Sequence, residues 1–214
     1  MTKRVGRVSE RREKEPESAP QDPEPLARRL VLDSLSRSAR TRGQLSDLLA
    51  RKGVPDEVGE AVLDRFAELG LIDDAAYAEA FTRSRHEHRG LGSRAIAFEL
   101  RRRAVPDEVV QEAVSVLDAD QEQETASRLA RERQARMSSL PREVQARRLA
   151  GFLARKGYGG QVVGRAVREA LAAAEAAEAE AAEAGGEAGD GWLSPDGLGD
   201  AMGSFADGLE SGQE

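Results

Sequence analysis

His86 and His88 form an HxH pair, the pattern that first suggests a metal or a proton relay. On a helix, residues two apart point to different faces, so the two imidazoles cannot share one ion. No other histidine exists, and there is no cysteine to supply a thiolate ligand, a disulfide or a nucleophile. Paired carboxylates are common, as at Asp56–Glu57, Asp73–Asp74 and Asp107–Glu108. Each pair falls where a helix should begin, and there the helix dipole and capping account for it. GLGSR, Gly90 to Arg94, follows no strand, and neither GxxxxGK[ST] nor GxSxG occurs. The residues give no support for catalysis, a cofactor or a metal.

The basic residues carry more information. Of 32 basic side chains, 28 are Arg, which binds carboxylate and phosphate with a planar fork of donors. Arg83, Arg85, Arg94, Arg101, Arg102 and Arg103 crowd the middle of the chain, and Arg155 and Lys156 recur further on. These eight are the candidate partner-binding residues. The net charge of −7 hides the asymmetry behind them. Residues 1–25 carry 6 basic and 6 acidic groups, residues 26–173 carry 26 and 22, and residues 174–214 carry none and 11. A basic body thus bears an acidic tail, which suits an interaction protein near nucleic acid.

The elements that must position these arginines are helices. Only 8 of the 214 residues are aromatic, too few for a β-sandwich or doubly wound sheet, and Ala, Leu, Arg and Glu dominate. Three segments repeat: LSDLLARKGVPDEVGEAV from Leu45, IAFELRRRAVPDEVVQEAV from Ile96, and LAGFLARKGYGGQVVGRAV from Leu149. Leu49, Leu100 and Leu153 align, as do Lys52, Arg103 and Lys156, at offsets of 51 and 53 residues. Each unit reads as a helix with basic residues at its C-terminal end and a turn. Gly53 or Gly157 takes the left-handed position there, and Pro55 or Pro106 opens a second helix. A further helix precedes each pair: Leu26 to Ser36, Ala75 to about His88, and about Asp120 to Arg136. Thr41 with Gln44 has capping-box spacing, Asp73 or Asp74 caps the fourth helix, and Ser93 and Ser139 are placed to cap as well.

The expectation is an all-α protein of three tandem three-helix repeats in an elongated, curved array. The repeats span 26–72, 73–118 and 119–173, and neighbours share a core. Residues 1–25, with four prolines, should form a disordered arm. Residues 174–214 should form an acidic tail that begins as a fraying helix and then loses order. Its Trp192, Leu193, Leu198, Met202, Phe205 and Leu209 are a candidate docking segment. Leu71, Ile72, Tyr77 and Phe81 are spaced for one apolar face, and Arg83 and Arg85 lie beyond it, free to reach outward. No apolar run approaches the roughly 20 residues of a membrane span. The absence of cysteine suits a reducing cytoplasm, and the array looks self-sufficient as a monomer.

At GLIDDAAYAEAFTRSR (70–85), RGLGSRAIAFELRRRAVPDEV (89–109) and FLARKGYGGQVV (152–163) the chain resembles the RecX family of recombination regulators. Tyr77, Ala78 and Phe81, with Gly90, Arg94, Glu99, Leu100 and Arg103, fit the family pattern. Ala104 departs from it, standing where the family usually has Gly. The resemblance implies three tandem three-helix repeats and binding within the groove of the RecA filament on single-stranded DNA. There the protein would hinder ATP hydrolysis, strand exchange and co-protease activity. It also implies modest binding to single- or double-stranded DNA. The residues alone leave open an alternative, a helix-turn-helix regulator acting on duplex DNA directly.

Overall fold

A computed structural model describes residues 22–187 of the chain, and within them the secondary structure is all helical. The elements are α1 (Pro23–Leu35), α2 (Arg42–Arg51), α3 (Asp56–Glu68), α4 (Asp74–Arg89), α5 (Ser93–Arg101), α6 (Asp107–Ser115), α7 (Ala119–Gln134), α8 (Arg142–Arg155) and α9 (Gly160–Glu187). A single 3-10 turn, Ala135–Met137, closes α7. Taken in threes, these helices are the repeats.

The aligned leucines explain why each trio closes. Leu49, Leu100 and Leu153 are all buried, each at the centre of its own cluster. Burying one such side chain is worth roughly 1.5–3 kcal/mol. The first cluster gathers Val31, Leu45, Leu63, Phe66 and Ile72 around Leu49. The second gathers Ala78, Ile96, Val105 and Val110, and the third Leu149, Tyr158, Val163 and Ala166. The repeats therefore do not share a core. Contact between repeats is made by backbone hydrogen bonds, small residues and a few larger side chains such as Tyr158 and Leu129. Ile72 belongs to the first cluster, while Tyr77 and Phe81 lie half-buried against the second and Leu71 is exposed, so these four do not form one face.

The seams follow one plan used twice. The N-terminal turn of each middle helix is received by the C-terminal turn of the next middle helix. The Thr41 hydroxyl donates to the Arg103 carbonyl at 2.5 Å, and the Gly92 amide donates to the Lys156 carbonyl at 2.9 Å. A carboxylate from the next repeat accepts the adjoining free amide: Asp74 from Arg42 at 2.8 Å, and Glu122 from Ser93 at 2.6 Å. These are orphan donors of a helix start, satisfied across the seam. Close approach needs small residues. A Cβ on Gly43 would lie 2.4 Å from the Ala104 Cβ, and one on Gly157 would lie 2.3 Å from the Ala95 nitrogen.

Caps and turns follow the local sequence at some helix ends and not at others. Thr41 and Gln44 form the capping box, Asp73 caps α4 at 2.8 Å, and Gly53 and Gly157 take positive φ at 75° and 90°. Ala104 takes the same conformation at φ 56°, so the turn is as sharp as at its glycine counterparts. Pro55 and Pro106 sit one residue earlier than expected, as the cap residue itself. Ser93 does not cap α5, because Gly92 holds the cap position and Glu122 serves the Ser93 amide. Ser139 does not cap α8, which starts from Pro141.

The ends also differ from expectation. α1 begins at Pro23, earlier than Leu26, because Asp22 accepts from the Glu24 amide at 3.2 Å and proline suits a first turn. α9 runs unbroken to Glu187. The Arg142 guanidinium donates to the Leu171 carbonyl at 2.6 Å and pairs with Glu175 and Glu178 at 3.2 and 3.4 Å, which ties down the start of the acidic extension. The remainder of the N-terminal arm, and the segment holding Trp192 to Leu209, lie outside the described residues.

Candidate functional site

Three of the eight basic side chains singled out by spacing are committed to the fold. Arg85 and Arg103 both face Glu99, at 3.2 and 3.7 Å, and both lie over the Phe81 ring, at 4.5 and 4.3 Å from its centroid. Arg103 also donates to the Glu99 carbonyl at 2.9 Å. Arg85 is therefore not free to reach outward; it clamps α4 to α5. Lys156 donates to the Arg89 carbonyl and lies over Phe152, so it locks the third repeat to the end of α4. Burial, with Arg128 nearby, pulls its ammonium below the usual lysine range. Arg101 is exposed but pairs with Asp107 at 2.6 Å across the α5–α6 turn.

Arg83, Arg94, Arg102 and Arg155 remain exposed, without an ion pair among the described residues. Arg83 stands apart, on the α4 face that looks toward Val116 and Gln121. The other three come together. Arg94, in the first turn of α5, and Arg102, its C-cap residue, lie about two turns apart on one side. Arg155 ends α8, and the Arg94 guanidinium lies by Gly159 in the turn that follows, 3.7 Å from where a Cβ there would be. The seam thus joins the end of α8, which carries Arg155, to the start of α5, which carries Arg94.

Two residues of this surface escaped the sequence reading. Phe98 sits between Arg94 and Arg102 on α5 and is 60% exposed, with the Arg102 guanidinium 5.9 Å from its ring centroid. Its counterparts in the flanking repeats are Asp47 and Gly151, so the helical framework does not require an aromatic there. That mismatch was the available signal. Arg147, exposed on α8, is the counterpart of Arg94 at the offset of 53.

Other candidates resolve into structure. His86 is buried: Nδ1 lies 3.0 Å from the Leu91 carbonyl, which fixes the proton on that nitrogen, and Nε2 accepts from Thr125 at 3.2 Å. His88 is exposed on another face. Among the described residues, no group of His, Asp and Glu could hold a metal ion, and no helix is long and apolar enough to cross a membrane. A cleft of about 500 Å³ between the first two repeats is floored by Tyr77 and Phe81, whose rings stack at 6.0 Å, and is rimmed by Arg40 and Arg85. It holds no nucleophile beside a base.

Compared with known proteins, the chain matches three family domains in tandem. The RecX first three-helix domain matches residues 27–66, the second 73–114 and the third 120–167. A protein of Thermobifida fusca named "Regulatory protein RecX" is 51% identical over 156 residues, covering 73% of this chain and 84% of that protein. The chain belongs to the RecX family. A second RecX relative, from Streptomyces lividans, is 47% identical and covers 71% of this chain and 81% of its own length. Among solved structures, RecX from Lactobacillus salivarius superposes with a TM-score of 0.66 at 21% identity, covering 70% of this chain and 97% of that one. A further structure, "Crystal structure of regulatory protein RecX", gives 0.60 at 26% identity over 66% of this chain and 70% of that one. Each matched span covers one trio of helices, and the α5–α8 surface lies within the second and third spans.

Proposed function

We propose that this chain is a non-catalytic regulator that binds the RecA filament on single-stranded DNA and restrains its ATPase, strand exchange and co-protease activity. The single observation that carries this reading is the surface of unpaired arginines, Arg94, Arg102 and Arg155, presented by a three-repeat array of the RecX family. An array whose repeats keep separate cores can lie across several protomers of a filament. By binding one filament state better than another it shifts that equilibrium, and hydrolysis with it. Arg101 lies at the margin of the contact, Arg85, Arg103 and Lys156 support it from behind, and Arg83 lies outside it. The protein would act as a monomer in the cytoplasm, where such filaments form.

The duplex-binding alternative is weaker on this surface. The second helix of the first two turn pairs, α3 and α6, opens with exposed Asp56–Glu57 and Asp107–Glu108, which would meet phosphates with the wrong sign. The test is a titration of the purified protein into RecA on single-stranded DNA, following ATP hydrolysis and co-sedimentation. Hydrolysis should fall at substoichiometric to stoichiometric amounts, and the joint substitution Arg94→Glu, Arg102→Glu and Arg155→Glu should abolish the effect while leaving the far-UV CD unchanged. Undiminished hydrolysis with no co-sedimentation ends the proposal.

A further inference from the structure

Three of the five large apolar side chains that stay exposed among the described residues, Leu32, Leu69 and Leu71, belong to α1 and the α3–α4 turn. Leu71 opens onto the cleft between the first two repeats, beside Leu35 and the stacked rings of Tyr77 and Phe81. Contiguous exposed apolar surface of this kind marks a docking site. The cleft is also the positive one. It carries the guanidiniums of Arg40 and Arg85 against one carboxylate, Asp73, which accepts from the Ala76 amide. Arg40 is exposed and has no ion pair among the described residues. Two other clefts lack this balance. Between α1 and α3, Arg28 and Arg65 face Glu24 and Glu57, and beside Val116, Arg83 faces Glu79 and Glu87.

The chain carries a segment of the opposite character. Leu198, Met202, Phe205 and Leu209 are spaced so that on a helix they fall within about 60° of one another. Asp200 and Asp207 fall on the far side and Glu210 on the flank, where a rim guanidinium can meet it. No basic residue occurs from 174 to 214. Gly199, Gly203 and Gly208 weaken such a helix when free, so the apolar stripe needs a groove to hold it.

We propose that residues 198–209 dock as an amphipathic helix in the cleft between the first and second repeats of their own chain, with Phe205 against Tyr77 and Phe81. The route fixes how the strap closes. α9 begins beside the second seam and passes Arg142 at the far end of α8, so it carries the chain away from the cleft. The way back, along α9 from Glu178 to Gly160 and along α4 from Arg89 to Tyr77, is about 45 Å at 1.5 Å per residue. An extended chain from Glu178 to Leu198 spans ~66 Å, but one from Glu187 to Leu198 spans only ~36 Å. Closure therefore unwinds α9 past its last tie, the Arg142–Glu178 pair. That stretch is Ala, Glu and Gly, and Ala179 to Glu183 are exposed, so little opposes the unwinding. The α9 that stays helical to Glu187 is the open arrangement. A second copy carries the same segment, but the tether gives the chain's own tail the higher effective concentration. Closed, the strap turns Asp200 and Asp207 outward and covers a basic edge with acid.

The chain has no cysteine, so cross-linking reports the contact directly. In the full chain, Ser84→Cys on the cleft wall and Ala206→Cys beside Phe205 are joined by a short bis-maleimide. The control moves the first cysteine to Ser115, exposed on α6. The cleft pair should give cross-linked monomer in at least about tenfold higher yield than the control. Phe205→Asp, or Ala80→Glu on the exposed cleft wall, should return the yield to the control level with the far-UV CD unchanged. Amides 180–183 should exchange faster in the cross-linked protein than in the free one. A yield no higher than the control, a yield that survives Phe205→Asp, or slow exchange at 180–183 after cross-linking overturns the proposal. So does a product found only as a dimer, which assigns the segment to a second copy. No recombinase enters the assay, so its result and that of the ATPase titration stand or fall separately.

Discussion

Gly157→Ala and Gly53→Ala make the same chemical change at the same position of two repeats, and the structure separates their consequences. Both glycines have positive φ, 90° and 75°, so either alanine carries left-handed strain of roughly 1 kcal/mol. At Gly53 the added methyl meets nothing within 4 Å, and the strain is the whole effect. At Gly157 the methyl would lie 2.3 Å from the Ala95 nitrogen and 2.4 Å from its Cβ, so the start of α5 must move away. That movement stretches the Gly92 amide bond to Lys156, now 2.9 Å, and the buried Tyr158 hydroxyl bond to the Gly90 carbonyl, now 3.0 Å. At about 1 kcal/mol for each hydrogen bond, the total at Gly157 reaches ~3 kcal/mol against ~1 at Gly53. Urea denaturation followed by far-UV CD gives both values. Hydrogen exchange at the Gly92 amide locates the damage, since it should accelerate in Gly157→Ala alone. Equal destabilisation by the two substitutions, with Gly92 still protected, would refute the claim that the second and third repeats are joined at this seam.

Two further outcomes follow from the same geometry. Arg85→Ala and Arg103→Ala should each cost about 1–2 kcal/mol in thermal denaturation, because each leaves Glu99 short of a partner and uncovers Phe81, whereas Arg102→Ala should change stability by less than ~0.5 kcal/mol. Burial, with Glu122 nearby, raises the Tyr158 phenol above its ordinary 10.0. Its contribution is therefore complete below pH 10 and is lost as pH climbs, by up to about 1.4 kcal/mol per unit, while the folded state holds the proton that the unfolded chain releases. Tyr158→Phe should remove that part of the alkaline slope in pH-dependent urea denaturation.

The repeat was legible because burial is written into side-chain type: Leu49, Leu100 and Leu153 had to be inside, and their spacing counted the units. Turn chemistry was legible for a similar reason, since Gly53, Gly157 and the Thr41–Gln44 pair act on their own neighbourhoods. What failed was anything decided by a distant partner. Ser93 looked like a cap, but Glu122, 29 positions away, satisfies its amide. Arg85 looked free, but Glu99, 14 positions away on α5, draws it in. A shared core was expected because small bundles bury little, yet the seams are built from Gly43, Gly92 and Ala95, which admit backbone and exclude large side chains. Phe98 is the converse: an apolar residue two positions from buried Ile96 and Leu100 whose neighbours in space leave it uncovered.

The two seams run in one sense: α8 ends on the start of α5, and α5 ends on the start of α2. The three middle helices therefore form an arrow. Turning the chain end for end does not restore the same surface, because the positive tip of one helix is always covered by the negative tip of its successor and only the outermost tips stay open. A ligand that itself has a heading, as any single strand or recombinase polymer does, will be met in one orientation and not the other.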